Sequence, residues 1–442
     1  MQDKILAYLR LHGASSSESI QSELHISQPT ASRHLNALSD EIVALGRGRS
    51  IKYAIAEPIG NSAAQQPIWQ ISEEGERVQL GVLSFLEKSQ IHIQAHEANE
   101  LYISTPQNPL PWYLSSLRAQ GFIGRIMAKS LESKGVGANP ETWDVNSILI
   151  AAINTKDAPG NLLLGELHPP ETHSHIPLIE PGLFLDDFSI NIAKTLPVGS
   201  SAGGEQPKFP AINAHGKHVL VKFSPPRGTP FGDRWSDLLC AEALSYEVLL
   251  RHGFKAAPTE IIQTEARTYL LSERFDRVGT HGRQHVVSMG AIHAAFVSGA
   301  YENWAVTCDA LVSQKRLSAA DAVQCRQILQ FGRLIGNTDM HSGNASLYAR
   351  GTTLKDVLKG RFQLTPVYDM LPMRWRPDPM VGTFDYELFD VEVSQADAVA
   401  RVAARDFWMS LSAHALVSQA LREIACAMAC RIGVIERPVP AD

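Results

Sequence analysis

A lysine at the close of an apolar strand, with a glutamate on the helix that follows, restricts the folds open to this chain of 442 residues. "GKHVLVKFSP" reads as a strand ending near Lys222, facing in or out, and "WSDLLCAEALSYEVLLRHGF" as a helix carrying Glu242. "TYLLSERFDR" is then a second buried strand that runs into Glu273, Arg274, Phe275, Asp276 and Arg277. Upstream, "LPVGSSAGGEQPKFPAI" gathers small residues at Gly199, Ser200, Ser201, Ala202, Gly203 and Gly204. Glycine lets backbone N–H groups approach a phosphate closely. The Gly-Lys-Ser/Thr ending of a Walker motif is absent.

A second cluster lies far downstream in "NTDMHSGNASLY". Ile328, Phe331 and Ile335 precede it with the spacing of a buried helix face, and Gly336 supplies the stop. Asp339, His341 and Asn344 therefore sit in a loop leaving a packed helix, where reactive groups are often held. "FQLTPVYDM" adds Asp369 after a β-rich run.

The composition, 44% hydrophobic and 19% charged, is that of an ordinary globular protein of two to four domains. A net charge of -6 excludes a coat of positive charge, so any nucleic-acid contact must be local. Five scattered cysteines do not form a disulfide framework, and Cys426 and Cys430 read as small core residues of a C-terminal helix. No apolar run is long enough to cross a membrane, and "MQDKILAYLRLHG" lacks a signal-peptide pattern, so reducing cytoplasm is expected.

At the N-terminus, Ile5, Leu6, Tyr8 and Leu9 mark one helix, "SSSESIQSEL" a Ser-capped second, and "QPTASRHLNAL" a third with Pro29 in its first turn. "IVALGRGRSIKYAIA" follows as two strands around a basic glycine turn. The order resembles the winged helix-turn-helix of bacterial repressors. Gln28, Thr30, Ser32 and Arg33 suit base edges and phosphates of double-stranded DNA, and Arg47, Arg49 and Lys52 would bring the wing to the backbone. "EPIGNSAAQQP" (57–67) reads as a linker. Beyond it "ELYIS" and "NSILIAAI" look like strands, and "PWYLSSLRAQGFIGRIMAKSL" like a loop entering a helix. His168, His173 and His175 in "ELHPPETHSHIP" read as a surface loop rather than a metal site.

Glycine loop, strand lysine, helix glutamate and connecting strand follow the order of a kinase N-lobe. Asp339 and Asn344 have the five-residue spacing of a catalytic aspartate and a Mg²⁺-binding asparagine. In this form "SAGGEQPK", "VKF", "ERFDR", "NTDMHSGN" and "LTPVYDM" resemble the motifs of HipA serine/threonine kinases, toxins of bacterial toxin–antitoxin systems. With the fused N-terminal unit the chain is similar to the YjjJ (HipH) branch. The resemblance covers roughly 68–435 and implies an α+β chain. A winged helix-turn-helix would occupy 1–56 and a linker 57–67. The N-terminal subdomain and N-lobe would fill 68–289, with a mainly helical C-lobe over 290–442.

The same resemblance implies roles. Asp339 matches the catalytic aspartate, Asn344 and Asp369 the Mg²⁺ ligands, Lys222 the phosphate lysine and Glu242 its ion-pair partner. Gly203, Gly204, Glu205, Gln206 and Lys208 match the phosphate loop, and Glu273, Arg274 and Phe275 the adenine hinge. His341 and Tyr368 fall beside the nucleotide. Ser201, or its neighbour Ser200, falls where the family carries an autophosphorylated serine. ATP and Mg²⁺ are the implied cofactors. Family targets are aminoacyl-tRNA synthetases, and a separate antitoxin, HipB, usually supplies the DNA-binding function that is fused here. Two other readings remain open on sequence: a DNA-binding regulator whose kinase fold is an inactive sensor, and a metal-dependent nuclease built on His341, Asn344 and Asp369.

Overall fold

The computed structural model describes residues 1–46, 48, 51–155, 157–167, 174–195, 206–378 and 380–433. Three helices, Gln2–His12, Ser17–Leu24 and Gln28–Ala37, open the chain. A three-stranded antiparallel sheet backs them, with Lys52–Ile55 between Ser15–Ser16 and Ile42–Leu45. Ser16 caps the second helix by accepting the Ser19 N–H at 3.0 Å. Ile5, Leu9, Ile20, Leu35 and Ile42 close a small core beneath. The three helices and the hairpin follow the order read from the sequence, and the short strand Ser15–Ser16 stands where a turn was expected.

The segment 57–67 is not a free tether. Ile59 is fully buried in the core of the next unit, and Gln65 already begins a strand, Gln65–Ile71. The Glu57 N–H donates to Phe85 O at 3.0 Å, and Lys88 Nζ donates to Leu11 O at 2.6 Å. Polar composition made this stretch look like a linker, but Ile59 is held in a core and the strand begins before the stretch ends. That sheet has five antiparallel strands in the order Asn99–Ile103, Gln90–Gln94, Arg77–Leu86, Gln65–Ile71 and Leu162–Leu164.

"NSILIAAI" is also corrected, from strand to helix (Val145–Asn154). Asp144 caps it by accepting the Ser147 N–H at 2.8 Å. Ile148, Leu149, Ala151 and Ala152 are all fully buried, so the helix shows no polar face and no helical period. "ELYIS" does form a strand, and the turn Trp112–Leu117 leads into the helix Gly121–Ser130.

A four-stranded antiparallel sheet follows, ordered Thr259–Gln263, Thr268–Glu273, His218–Phe223 and Lys208–Ile212. The long helix Pro230–Arg251 packs on it and continues into the largest core, shared with helices Met289–Phe296, Trp304–Ser313, Ala319–Leu334, Ala398–Ser412 and Gln419–Gly433. In the last of these, Ala425, Met428, Ala429 and Ile432 face inward, whereas Cys426 and Cys430 are exposed. The reading of those two as core residues fails because the apolar stripe is offset by one position. Gly336 ends the helix Ala319–Leu334 with φ 76°, and a side chain there would run into the Phe389 ring.

Candidate functional site

Lys222 sits on an inner strand of the four-stranded sheet, beside Lys208 on one neighbour and Leu270 on the other. Its side chain points inward, and the residue is buried together with Glu242. Lys222 Nζ donates to Glu242 Oε1 at 2.6 Å and also to Asp369 Oδ1. One helical turn beyond Glu242, the Tyr246 hydroxyl donates to the same Oε1 at 2.5 Å. Burial pulls the ammonium down, but Asp369 and Glu242 outweigh it and hold Lys222 above its ordinary value. Burial likewise acts to raise the Asp369 carboxyl, while Lys222, Lys208 and His341 bring it to about 2. Buried ion clusters are poor sources of stability, so one that keeps an acid partly open to a cleft is a candidate functional site.

The loop after Ala319–Leu334 is fastened to this cluster. Asn337, itself buried, donates from Nδ2 to Asp369 O at 3.1 Å and accepts the Asp339 N–H on Oδ1 at 3.0 Å. Asn344 Nδ2 closes the loop on Asp339 O at 2.7 Å, which leaves the lone pairs of the Asn344 side-chain oxygen for other partners. His341 accepts the Gly343 N–H on Nδ1 at 3.0 Å, and its Nε2 lies 4.0 Å from Asp339 Oδ1. The Asp339 side chain is 41% exposed. Asp369 has φ 51°, a left-handed conformation uncommon outside glycine and concentrated at working sites.

A cleft of about 1070 Å³ opens over these groups, lined by Lys208, Lys222, Asp369, Tyr368 and His341. The Phe275 ring lies 5.7 Å from that of Tyr368, and the Tyr368 hydroxyl bonds Ser346 Oγ and Gly343 O, each at 2.7 Å. Backbone N–H groups of Glu273 and Arg274 are already used, on Pro258 O and His218 O. The Arg274 side chain is committed as well. It pairs with Asp276 at 3.0 Å and with Asp157 at 2.5 Å, while Arg277 pairs with the same two carboxylates at 2.7 and 2.6 Å. Arg274 thus lines the cleft with its side chain held in a buried network.

Of the other expected residues, Gln206 donates to Phe223 O at 2.7 Å at the entry to the Lys208 strand. Ser200, Ser201, Gly203, Gly204 and Glu205 lie outside the described residues, as do Arg47, Arg49, His168 and His173. His175 makes a bridge to Ile212. Gln28, Ser32, Arg33 and Lys52 are exposed, and Thr30 is half-buried with its hydroxyl 3.0 Å from Ser27 Oγ. Sequence reasoning missed the Asn337 clamp, the Tyr246 support and the Asp157 partner. Asn337 stood inside a quoted motif, but only its neighbours had spacing that meant anything.

Residues 200–432 match the HipA-like C-terminal domain, and residues 62–169 match the middle domain of the YjjJ-like toxin. The chain belongs to the YjjJ-like group of HipA-family toxins. Toxin YjjJ of Escherichia coli strain K12 is 32% identical over 471 aligned residues, covering 98% of both chains. Among solved structures, HipA of Shewanella oneidensis MR-1, in a complex with HipB and operator DNA, is 16% identical. It covers 83% of this chain and 94% of its own, with a TM-score of 0.46. The Helicobacter pylori proinflammatory kinase CtkA is 14% identical over 51% of this chain and 87% of its own, with a TM-score of 0.34. The HipA-like match contains Lys222, Glu242, Asp339, Asn344 and Asp369, and the middle-domain match contains Asp157.

Proposed function

We propose that this HipA-family toxin is an ATP- and Mg²⁺-dependent serine/threonine protein kinase joined to a DNA-binding unit. The observation that carries this reading is the buried Lys222 ammonium, held by Glu242 and reaching Asp369 at the edge of the cleft. Such an ammonium can grip nucleotide phosphate oxygens, and Glu242 with Tyr246 keeps it in place. Asp339 orients the acceptor hydroxyl and takes its proton as that oxygen bonds to the γ-phosphorus and the β–γ bridging bond breaks, releasing ADP. Phe275 and Tyr368 supply an aromatic wall suited to a base. Asn344 and Asp369 offer hard oxygen donors, a set that suits Mg²⁺ completed by substrate phosphates. Bound there, the ion would neutralise charge that develops on the transferring phosphoryl group.

Ser201 or Ser200, on the glycine-rich loop, is the proposed autophosphorylation site. Added charge of about -1.5 to -2 would repel that loop from nucleotide phosphates and lower activity. The N-terminal unit, with exposed Gln28, Ser32 and Arg33 on one helix, is proposed to bind double-stranded DNA. An aminoacyl-tRNA synthetase is the protein substrate that the family resemblance favours.

Asp369→Asn replaces an anionic ligand by a neutral amide, so it should remove most of the Mg²⁺ enhancement of ATP affinity. Titration calorimetry with and without Mg²⁺ measures this. An equal Mg²⁺ effect in both proteins would remove Asp369 from the metal site.

A further inference from the structure

The cleft does not end at the Lys222 cluster. It continues between the middle domain and the helix Met289–Phe296, where its two walls differ sharply in chemistry. The helix side is small and smooth, presenting Gly290, Ala291, Ala294 and Ala295. The middle-domain side presents Ser115, Ser116 and Arg118 from the turn Trp112–Leu117 and the residue after it. Both serine hydroxyls and Arg118 Nε are buried without a hydrogen-bond partner among the described residues. The Arg118 guanidinium has no carboxylate partner there either, whereas Arg274 and Lys222 farther along the cleft are paired. Buried donors left unpaired cost free energy that a ligand can recover. An arginine with two serines on the turn before it supplies hydrogen-bond donors of the kind that hold an oxyanion, either carboxylate or phosphate.

The location says whose anion it is. The first turn of Met289–Phe296 holds the loop that carries Asp339, with Gly290 N–H on Ser342 O at 3.0 Å and Met289 N–H on Ala345 O at 2.8 Å. Trp112 is braced against Phe296 of the same helix, with ring centroids 5.2 Å apart. A substrate segment with its hydroxyl at Asp339 can therefore run along the small-residue face and meet Arg118. We infer that Arg118, with Ser115 and Ser116, is a specificity subsite for an acidic segment of the acceptor protein, read through a carboxylate or phosphorylated side chain flanking the acceptor hydroxyl. This rests on the kinase reading for its direction, but anion recognition is measurable without phosphotransfer.

The test is direct binding to the full-length protein of fluorescent serine-centred peptide pools with aspartate, phosphoserine, alanine or lysine fixed at each flanking position in turn. At one position or more, the aspartate or phosphoserine pool should bind roughly tenfold to a hundredfold tighter than the alanine pool. Which of the two is preferred identifies the natural anion. Arg118→Gln should erase the preference, and Arg118→Glu should transfer it to the lysine pool. Ser116→Ala should weaken it by a smaller factor, and unchanged ATP affinity reports that each variant is folded. Equal binding of all pools, or a preference that survives Arg118→Gln, overturns the subsite whether or not the protein transfers phosphate. Loss of ATP binding in the wild type would instead overturn the kinase reading and leave the peptide result to stand by itself.

Discussion

Two buried charge clusters border the same cleft and differ in what they leave open. In one, a single ammonium, Lys222, is shared by two carboxylates, Glu242 and Asp369, and Asp369 keeps 28% of its side chain exposed. In the other, Arg274 and Arg277 face Asp157 and Asp276 with every member largely buried, and Gly160 N–H donates to Asp276 at 2.8 Å. The second cluster is closed, with Arg283 as a further cation beside it, and it ties the strand end at 273–277 to the middle domain. The first keeps one of its acids partly exposed and opens onto the cleft. Burial of charge alone does not mark a reaction site; a buried cluster that leaves an acid open to a cleft is the better candidate.

The comparison breaks most visibly if the clusters exchange roles. Lys222→Met should lower phosphotransfer by about three powers of ten or more, because positioning and charge supply nearly all of this catalysis. Asp276→Asn should lower stability by about 3–5 kcal/mol through two underpaired guanidiniums. Transfer by the protein that stays folded should be largely kept. Chemical denaturation beside single-turnover transfer separates these effects. A fully stable Asp276→Asn protein that cannot transfer phosphate would reverse the assignment.

Acid sensitivity sharpens the structural side of the comparison. His285 lies at the junction with the middle domain, where it is buried and donates from Nε2 to Tyr113 O at 2.9 Å. Burial lowers its pKa from 6.5 to about 4. The folded value is the depressed one, so the stabilisation is complete above 6.5 and is lost as pH falls from there toward 4. The change should be about 3 kcal/mol. Denaturant midpoints across that range should fall for the wild type and show a shallower slope for His285→Gln. Equal slopes would remove His285 as the cause.

The smallest expected effect concerns the N-terminal unit. Arg33→Ala should weaken binding to all duplex sequences and reduce the salt slope by about one, as expected of a phosphate contact. Fluorescence anisotropy over a salt series measures it. An unchanged slope would take Arg33 out of the interface.

How legible each cluster was in the sequence follows the same division. Lys222, Glu242, Asp339, Asn344 and Asp369 lie at spacings set by chemistry, and the structure gathers Lys222, Glu242 and Asp369 directly, with Asn337 fastening the Asp339 loop to them. The closed cluster joins Asp157 to residues more than a hundred positions away, a pairing that no local pattern signals. Arg118 was invisible for the opposite reason, since nothing local distinguishes an arginine without a carboxylate among the described residues from a solvated one. "NSILIAAI" misled because a helix buried on every side has no period to read. The segment 57–67 misled because polar composition describes solvation, while Ile59 and the strand from Gln65 are set by partners elsewhere in the chain.

The most direct test of the central claim is incubation of the full-length protein with γ-labelled ATP and Mg²⁺, comparing wild type with Asp339→Gln and locating the label by mass spectrometry. Label is expected on Ser201 or Ser200 of the wild type, with a loss of several powers of ten in the variant and ATP affinity retained. Labelling of the variant at the wild-type rate would contradict that claim.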